Sequence, residues 1–267
     1  DEHGPSGKID EIDAANELYD FRKEVSLFHG NSFDTISGAG PNGAIVHYRV
    51  TEKTSRKLQK NMIYLVDSGG QYLDGTTDIT RTVAIGTPTE EQRDNFTRVL
   101  KGHIALAQAR FPEGRTGAHI DTLARKSLWD VGLDYDHGTG HGVGSYLGVH
   151  EGPQSISPLS YTVALKPGMI VSNEPGYYKA GEYGIRIENL VIVKNSEHDG
   201  EERPMLTFET ITLAPIDTRL VNAHMMSASE ITWLNIYHAK VREKIAPLLE
   251  GKEKDWLIQV TESITTL

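Results

Sequence analysis

Leu65-Val66-Asp67-Ser68-Gly69-Gly70 and, three residues on, Asp74-Gly75-Thr76-Thr77-Asp78-Ile79-Thr80-Arg81-Thr82 form the stretch on which the reading of this chain turns. Aspartate is disfavoured inside strands, because its short carboxylate offers the backbone other partners than the ladder. Here Asp67 closes the apolar run Met62 to Val66, and Asp78 stands inside a β-rich run, Tyr72 to Ile85, that breaks at Gly75. A carboxylate in such a place faces either solvent or a cation. On a hairpin the two positions converge on one point.

Three further segments carry chemistry. In His137-Gly138-Thr139-Gly140-His141-Gly142-Val143-Gly144 the alternating glycines frame His141 and leave it accessible, since a backbone without side chains can approach a site closely. The run does not fit the nucleotide-binding pattern G-x-G-x-x-G and lacks its strand-to-helix context. Ser172-Asn173-Glu174-Pro175-Gly176-Tyr177-Tyr178 sets a glutamate at a strand end stopped by Pro-Gly. In Gly184-Ile185-Arg186-Ile187-Glu188-Asn189, Arg186 and Glu188 share one face of a strand at period two. Taken singly, each piece has a plain explanation: a turn-forming Asp, a loop His, a strand terminator.

The frame around these segments is mixed. Apolar periodicity predicts an opening helix over roughly Ile9 to Val25, a helix capped by Thr89 and Gln92 that runs to about Phe111, and a third over about His119 to Val131. Pro112, Gly114 and Gly132 punctuate them. Strands are expected over Ala44 to Val50, Met62 to Val66, Tyr72 to Ile85, Tyr146 to His150, Met169 to Asn173, Ile185 to Val193 and Met205 to Ile216. A helical tail follows, Glu230 to Leu249 and Asp255 to about Glu262, with Trp233, Leu234, Tyr237, Val241 and Ile245 on an apolar face. Helices and antiparallel-looking strands without strict βαβ alternation indicate α+β.

Composition narrows the chemistry. The 267 residues are 38% hydrophobic and 24% charged, enough to bury a core. With no cysteine, disulfides and thiolate metal sites are excluded, and any metal must sit on oxygen and imidazole. A formal net charge of -10 argues against nucleic acid as a partner. No apolar run reaches the roughly 18–20 residues needed to span a bilayer, and the polar opening Asp1-Glu2-His3-Gly4-Pro5 carries no signal-peptide pattern. Without an initiator Met, the chain is expected to be processed or cut from a longer one.

The four segments, in this order, resemble the metal signature of the aminopeptidase P, prolidase and methionine aminopeptidase superfamily, peptidase family M24. The resemblance implies the pita-bread (creatinase/methionine aminopeptidase-like) fold, with Asp67, Asp78, His141, Glu174 and Glu188 as ligands of two divalent ions. Manganese is favoured by the resemblance, and ligand type alone leaves Zn2+ and Co2+ open. Pro41-Asn42-Gly43-Ala44-Ile45-Val46-His47-Tyr48 and Val149-His150-Glu151-Gly152-Pro153 look like the family segments that supply two active-site histidines, His47 and His150, and His137 matches a third.

Over Ile9 to Leu267 the chain resembles the catalytic part of the long, cytosolic type of Xaa-Pro aminopeptidase. The tail segments Trp233-Leu234-Asn235-Ile236-Tyr237-His238 and Trp256-Leu257 look like that type's C-terminal extension. The resemblance implies a catalytic domain over residues 1–221 and a helical extension over 222–267, packed on it or at a homodimer interface, with the family's upstream domains absent. It further implies a cytoplasmic enzyme that removes the first residue from peptides with proline second, by way of a metal-bridging hydroxide. Glu174 would act as general base, His150 as oxyanion donor and His47 in positioning the substrate, with His137, Arg186 and Tyr178 lining the substrate site or orienting the ligands. Two other readings stay open: a prolidase that cuts only Xaa-Pro dipeptides, and a non-catalytic pita-bread protein that binds protein ends.

Overall fold

The structure is a computed structural model and describes residues 3–265. The first two and last two residues lie outside it, and with them the outer ends of the expected divisions 1–221 and 222–267.

Helix α1 (Glu11–Lys23) starts from Asp10, whose carboxylate accepts from the N–H groups of Ile12 and Asp13 while the Asp13 carboxylate accepts from Asp10 N. A three-stranded antiparallel sheet follows, ordered β1 (Ile36–Ala39), β2 (Met62–Ser68), β3 (Ile79–Ile85). Asp67 pairs with Thr80 across β2 and β3, so Asp67 and Asp78 leave neighbouring strands at the same end. Helix α2 (Glu90–Ala107) opens on the predicted Thr89/Gln92 capping box and buries Phe96, Val99, Leu100 and Ile104. It packs against α3 (Ala118–Trp129).

Between these helices lies the short β4 (Phe111–Pro112). It joins the second sheet, whose order is β6 (Ile170–Asn173), β9 (Asn189–Asn195), β10 (Met205–Thr210), β4. Strand β5 (Gly140–His141) lies beside β6, and β7 (Gly176–Lys179) with β8 (Tyr183–Arg186) forms a separate hairpin. The largest core cluster combines α2 side chains, Ile185 and Ile187 with Ile231, Leu234, Tyr237 and Val241 of α4 (Ala228–Ile245) and Leu257 of α5 (Gly251–Val260). The tail thus packs on the rest of the chain. No helix among the described residues is long and apolar enough to cross a membrane.

Several expected elements are shorter or missing. No strand forms over Ala44 to Val50: a 3-10 turn occupies Gly40–Ala44, and side-chain bonds to Asn42 and Tyr48 replace a ladder. Tyr146 to His150 is a loop, with Tyr146 at φ 52. The capped helix stops at Ala107 rather than Phe111, because Phe111 is taken up by pairing with Leu206. The strand expected over Ile185 to Val193 is two strands. It breaks at Ile187 and Glu188, whose N–H groups donate to Pro175 O and Thr80 O. Arg186 and Glu188 are therefore not on one continuous strand. Strand β10 ends at Thr210, well short of Ile216.

Candidate metal centre

The ten residues singled out in the sequence come to one region. Asp67, Asp78, His141, Glu174 and Glu188 all border a single cavity of about 490 Å³. His47, His137, His150 and Arg186 border it too, whereas Tyr178 stands behind, bonded to two of them. Each acidic group leaves a place where the ladder ends or breaks: Asp67 near the end of β2, Asp78 just before β3, Glu174 just after β6, Glu188 between β8 and β9. Strand ends bring distant residues together while freeing their carboxylates from the sheet.

One ligand atom each from Asp78, His141 and Glu188 lies within 4.8 Å of the others. His141 Nε2 is 3.3 Å from Asp78 Oδ2 and 3.2 Å from Glu174 Oε1. Its Nδ1 faces Gly142 O at 3.0 Å, which turns Nε2 toward the carboxylates; such a partner is what orients a metal-binding imidazole. The flanking glycines are required by space. A Cβ on Gly140 would lie 1.9 Å from Ser172 O, and one on Gly142 would lie 2.1 Å from Glu151 O.

The electrostatics are those of crowded acids. Burial, reinforced by Asp67 and Glu174, pushes Asp78 up to about 7 against the hydrogen bond to His141. Burial and the charges of Asp78, Glu174 and Asp67 raise Glu188 well above the usual carboxylate range. Burial raises Asp67 as well, with Arg186 working against it. For Glu174 burial also acts upward, but the hydrogen bond and charge of His141 outweigh it and hold the group at about 2. Burial disfavours the charged His141 ring, yet its bonds to Asp78 and Glu174 prevail and raise it to about 11. Without further positive charge, four carboxylates share one imidazolium and one guanidinium, so some must stay protonated.

Two oxygens make the same point. Asp67 Oδ1 and Glu188 Oε1 are buried with no hydrogen-bond donor among the described residues. A buried carboxylate oxygen left bare costs free energy unless a cation meets it. An oxygen-rich set with one imidazole suits divalent Mn, Co or Zn. The residues present therefore fit divalent cations.

The support around the acids uses residues the sequence reading passed over. Thr80 Oγ1 donates to Glu188 Oε2 at 2.7 Å and accepts from Arg186 Nε at 3.1 Å. Ser172 Oγ donates to Glu174 Oε1 at 2.9 Å and accepts from His141 N at 2.9 Å. Arg186 also donates to Asp67 Oδ2 at 2.7 Å and to Tyr178 OH at 2.6 Å. Tyr178, raised to about 12 by burial, in turn donates to His137 Nε2 at 2.8 Å, and His137 Nδ1 donates to Gly138 O. His150 stands edge-on to His141, ring centroids 4.2 Å apart. Period two from Asp78 would have found Thr80, and period two back from Glu174 would have found Ser172.

Residues 4–195 match the family model for metallopeptidase family M24, and residues 204–264 match that for the C-terminal region of peptidase M24. A probable Xaa-Pro aminopeptidase P from Arthroderma otae is 51% identical over 263 residues, covering 96% of this chain and 42% of the relative. Aminopeptidase P2 of Arabidopsis thaliana is 51% identical over 256 residues, covering 94% and 36%. The chain thus spans less than half the length of these relatives. Among solved structures, an X-prolyl aminopeptidase from Caenorhabditis elegans, described as a cytosolic enzyme with a di-nuclear active site, superposes with a TM-score of 0.93 at 40% identity. It covers 98% of this chain and 44% of its own. A Xaa-Pro dipeptidase from Bacillus anthracis reaches 0.67 at 32% identity, over 78% of this chain and 54% of its own.

Proposed function

The chain belongs to metallopeptidase family M24, and from that premise we propose that it is a dinuclear aminopeptidase that hydrolyses the N-terminal Xaa-Pro bond of peptides. The observation that carries this reading is the convergence of four acids and one imidazole on one cavity, with two buried carboxylate oxygens bare. The names of the relatives, matched over nearly the whole of this chain though over less than half of their own length, support the substrate class.

In this reading Asp67, Asp78, His141, Glu174 and Glu188 hold two divalent cations, which we take to be Mn2+. Bound there, the cations supply Lewis acidity toward the scissile carbonyl and lower the pKa of a water. The chain's own groups do the rest. Glu174 takes the proton of the attacking water on its carboxylate. His150 donates a hydrogen bond to the oxyanion, and His47 holds the substrate near the scissile bond. Arg186 fixes Asp67 through a bond of 2.7 Å, and Tyr178 with His137 fixes Arg186 from the other side. A Xaa-Pro bond has no N–H to pair with an enzyme backbone, so recognition must come from shape. Phe33, Ile36 and Val46 on the cavity wall offer an apolar seat for the ring.

We divide the chain into a catalytic domain, residues 1–221, and a helical extension, residues 222–267. We read the enzyme as cytoplasmic, as the nematode relative is described, and as a homodimer. The exposed Ile236, Leu248 and Trp256 on the tail support the latter. Incubated with Mn2+, the purified chain should cleave a Xaa-Pro-Xaa tripeptide, and Glu174→Ala should abolish turnover with an unchanged far-UV spectrum. Full turnover by Glu174→Ala would refute the base assignment. Cleavage of Xaa-Pro dipeptides alone would make the enzyme a dipeptidase.

A further inference from the structure

Helix α4 reaches the back of the metal centre. Arg81, three residues after Asp78, is buried and spends its whole guanidinium there. Its Nη1 donates to Thr80 O at 2.9 Å and to Glu188 O at 2.6 Å. Its Nη2 donates to Asn189 Oδ1 at 2.8 Å, Ala214 O at 2.9 Å and Tyr237 OH at 3.0 Å, and Nε donates to Pro215 O at 2.8 Å. Tyr237, on α4, also donates to Ala214 O at 2.8 Å and accepts from Ala214 N at 3.3 Å. One hydroxyl therefore ties the tail, the 212–215 segment and Arg81 together.

This matters because Glu188 lies in the break between β8 and β9. Its backbone is held there by Thr80 O, which accepts its N–H at 3.1 Å, and by Arg81, which donates to its carbonyl. Arg81 thus braces the backbone from which the Glu188 carboxylate projects, while Thr80 Oγ1 bonds the carboxylate itself. A second route runs in parallel. Trp233 stacks on Tyr237 with rings 3° from parallel and meets the His103 ring edge-on at 5.9 Å. His103 Nδ1 donates to Asn173 O at 3.1 Å, and its Nε2 accepts from Asn189 Nδ2 at 3.2 Å. Asn173 immediately precedes Glu174, and Asn189 immediately follows Glu188.

We propose that Tyr237 of the C-terminal helix is a positioning residue for the metal centre, its hydroxyl acting through Arg81 on the backbone of Glu188. The inference rests on the reading of Glu188 as a metal ligand. It assigns the tail a part in metal binding that owes nothing to contact with the ions.

The test is Mn2+ affinity, measured on the full chain by chelator competition and by the loss of free-ion EPR signal. Tyr237→Phe keeps the ring and its stack on Trp233 and removes only the hydroxyl. It should bind Mn2+ about 10-fold more weakly, as loss of a ligand's supporting partner typically does. Arg81→Lys should do the same, and the double variant should be little weaker than either single, since the two act in series. Val241→Ala, buried on the same helix outside this network, should lower the melting temperature and leave Mn2+ affinity unchanged. Affinity within twofold of the unaltered chain in Tyr237→Phe would overturn the inference. So would an equal loss in Val241→Ala, or additive losses in the double variant. If one variant fails to fold, the other reads the same ratio alone. An unaltered chain that binds no Mn2+ would overturn the metal reading and this inference with it. Normal binding there, with no change in the variants, overturns the inference alone.

Discussion

Glu11 offers the sharpest test of how the cavity wall is held. It is fully buried at the start of α1, and its carboxylate takes bonds from four groups. Oε1 accepts from Ala39 N at 2.7 Å and Asn42 Nδ2 at 2.9 Å. Oε2 accepts from Asn42 Nδ2 at 3.0 Å, Tyr48 OH at 2.9 Å and Arg56 N at 3.1 Å. These bonds fasten the 42–48 segment, which has no ladder of its own and carries His47. In Glu11→Gln the amide NH2 must replace one oxygen. Placed at Oε2, it faces the Arg56 N–H donor to donor, while the Tyr48 hydroxyl can turn to Thr54 O at 3.1 Å. One partly buried N–H is orphaned and the remaining bonds lose their charge, which together cost about 3 kcal/mol. Equilibrium urea unfolding should show this loss, and the melting temperature should fall by roughly 5–6 °C for a chain of this size. KM for a Xaa-Pro peptide should rise as His47 loosens. Glu17→Gln, exposed on the same helix, should change neither quantity. A melting temperature for Glu11→Gln within 1 °C of the unaltered chain would show that Glu11 does not hold this wall.

Three further outcomes are expected. Thr80→Val preserves shape but strips Glu188 Oε2 and Arg186 Nε of a partner, so chelator competition should find divalent affinity about 10-fold weaker; unchanged affinity would remove Thr80 from the support. His238, lowered to about 4 by burial and by the charges of Arg81 and Arg242, accepts from Ile216 N and stays neutral when folded. Its folded value lies below the unfolded one, so the unfolded chain alone takes up a proton and stability is lost as pH falls below about 6.5. The stability difference between the unaltered chain and His238→Gln should therefore shrink by about 2 kcal/mol from pH 7 to pH 5, read from urea midpoints, and a pH-independent difference would contradict it. Arg125 is paired with Asp121 at 2.7 Å and donates to Tyr135 O and His137 O, holding the glycine-rich loop. Arg125→Met should leave Asp121 buried and unpaired, costing about 3–5 kcal/mol in the same unfolding assay; a loss under 1 kcal/mol would show the loop to be held by other means.

Residues that announce themselves locally were legible in the sequence. Asp67, Asp78 and Glu174 stand where a carboxylate spoils a strand, and His141 stands between glycines that nothing larger could replace. The capping box at Thr89 and the apolar face of α4 were readable for the same reason, because both depend on spacing of three or four residues. What escaped depends on distance in the chain. Glu11 reaches residues up to 45 positions away, and Arg81 reaches Tyr237 across 156. Such bonds leave no periodic trace. Ala44 to Val50 looked like a strand because its β-branched residues imitate one, yet the side chain of Asn42 and the hydroxyl of Tyr48 take their partners from α1 instead. The alternation around Glu188 predicts a strand there. The break that exposes its backbone to Thr80 and Arg81 is a tertiary effect.

We propose that Asp67, Asp78, His141, Glu174 and Glu188 together hold a pair of divalent cations. Elemental analysis after loading with Mn2+ and desalting tests it most directly, on the unaltered chain and on Asp78→Ala and Glu188→Ala. Two ions per unaltered chain, falling to one or none in each variant, is the result predicted. An unaltered chain without bound ions, or variants that still carry two, would contradict it.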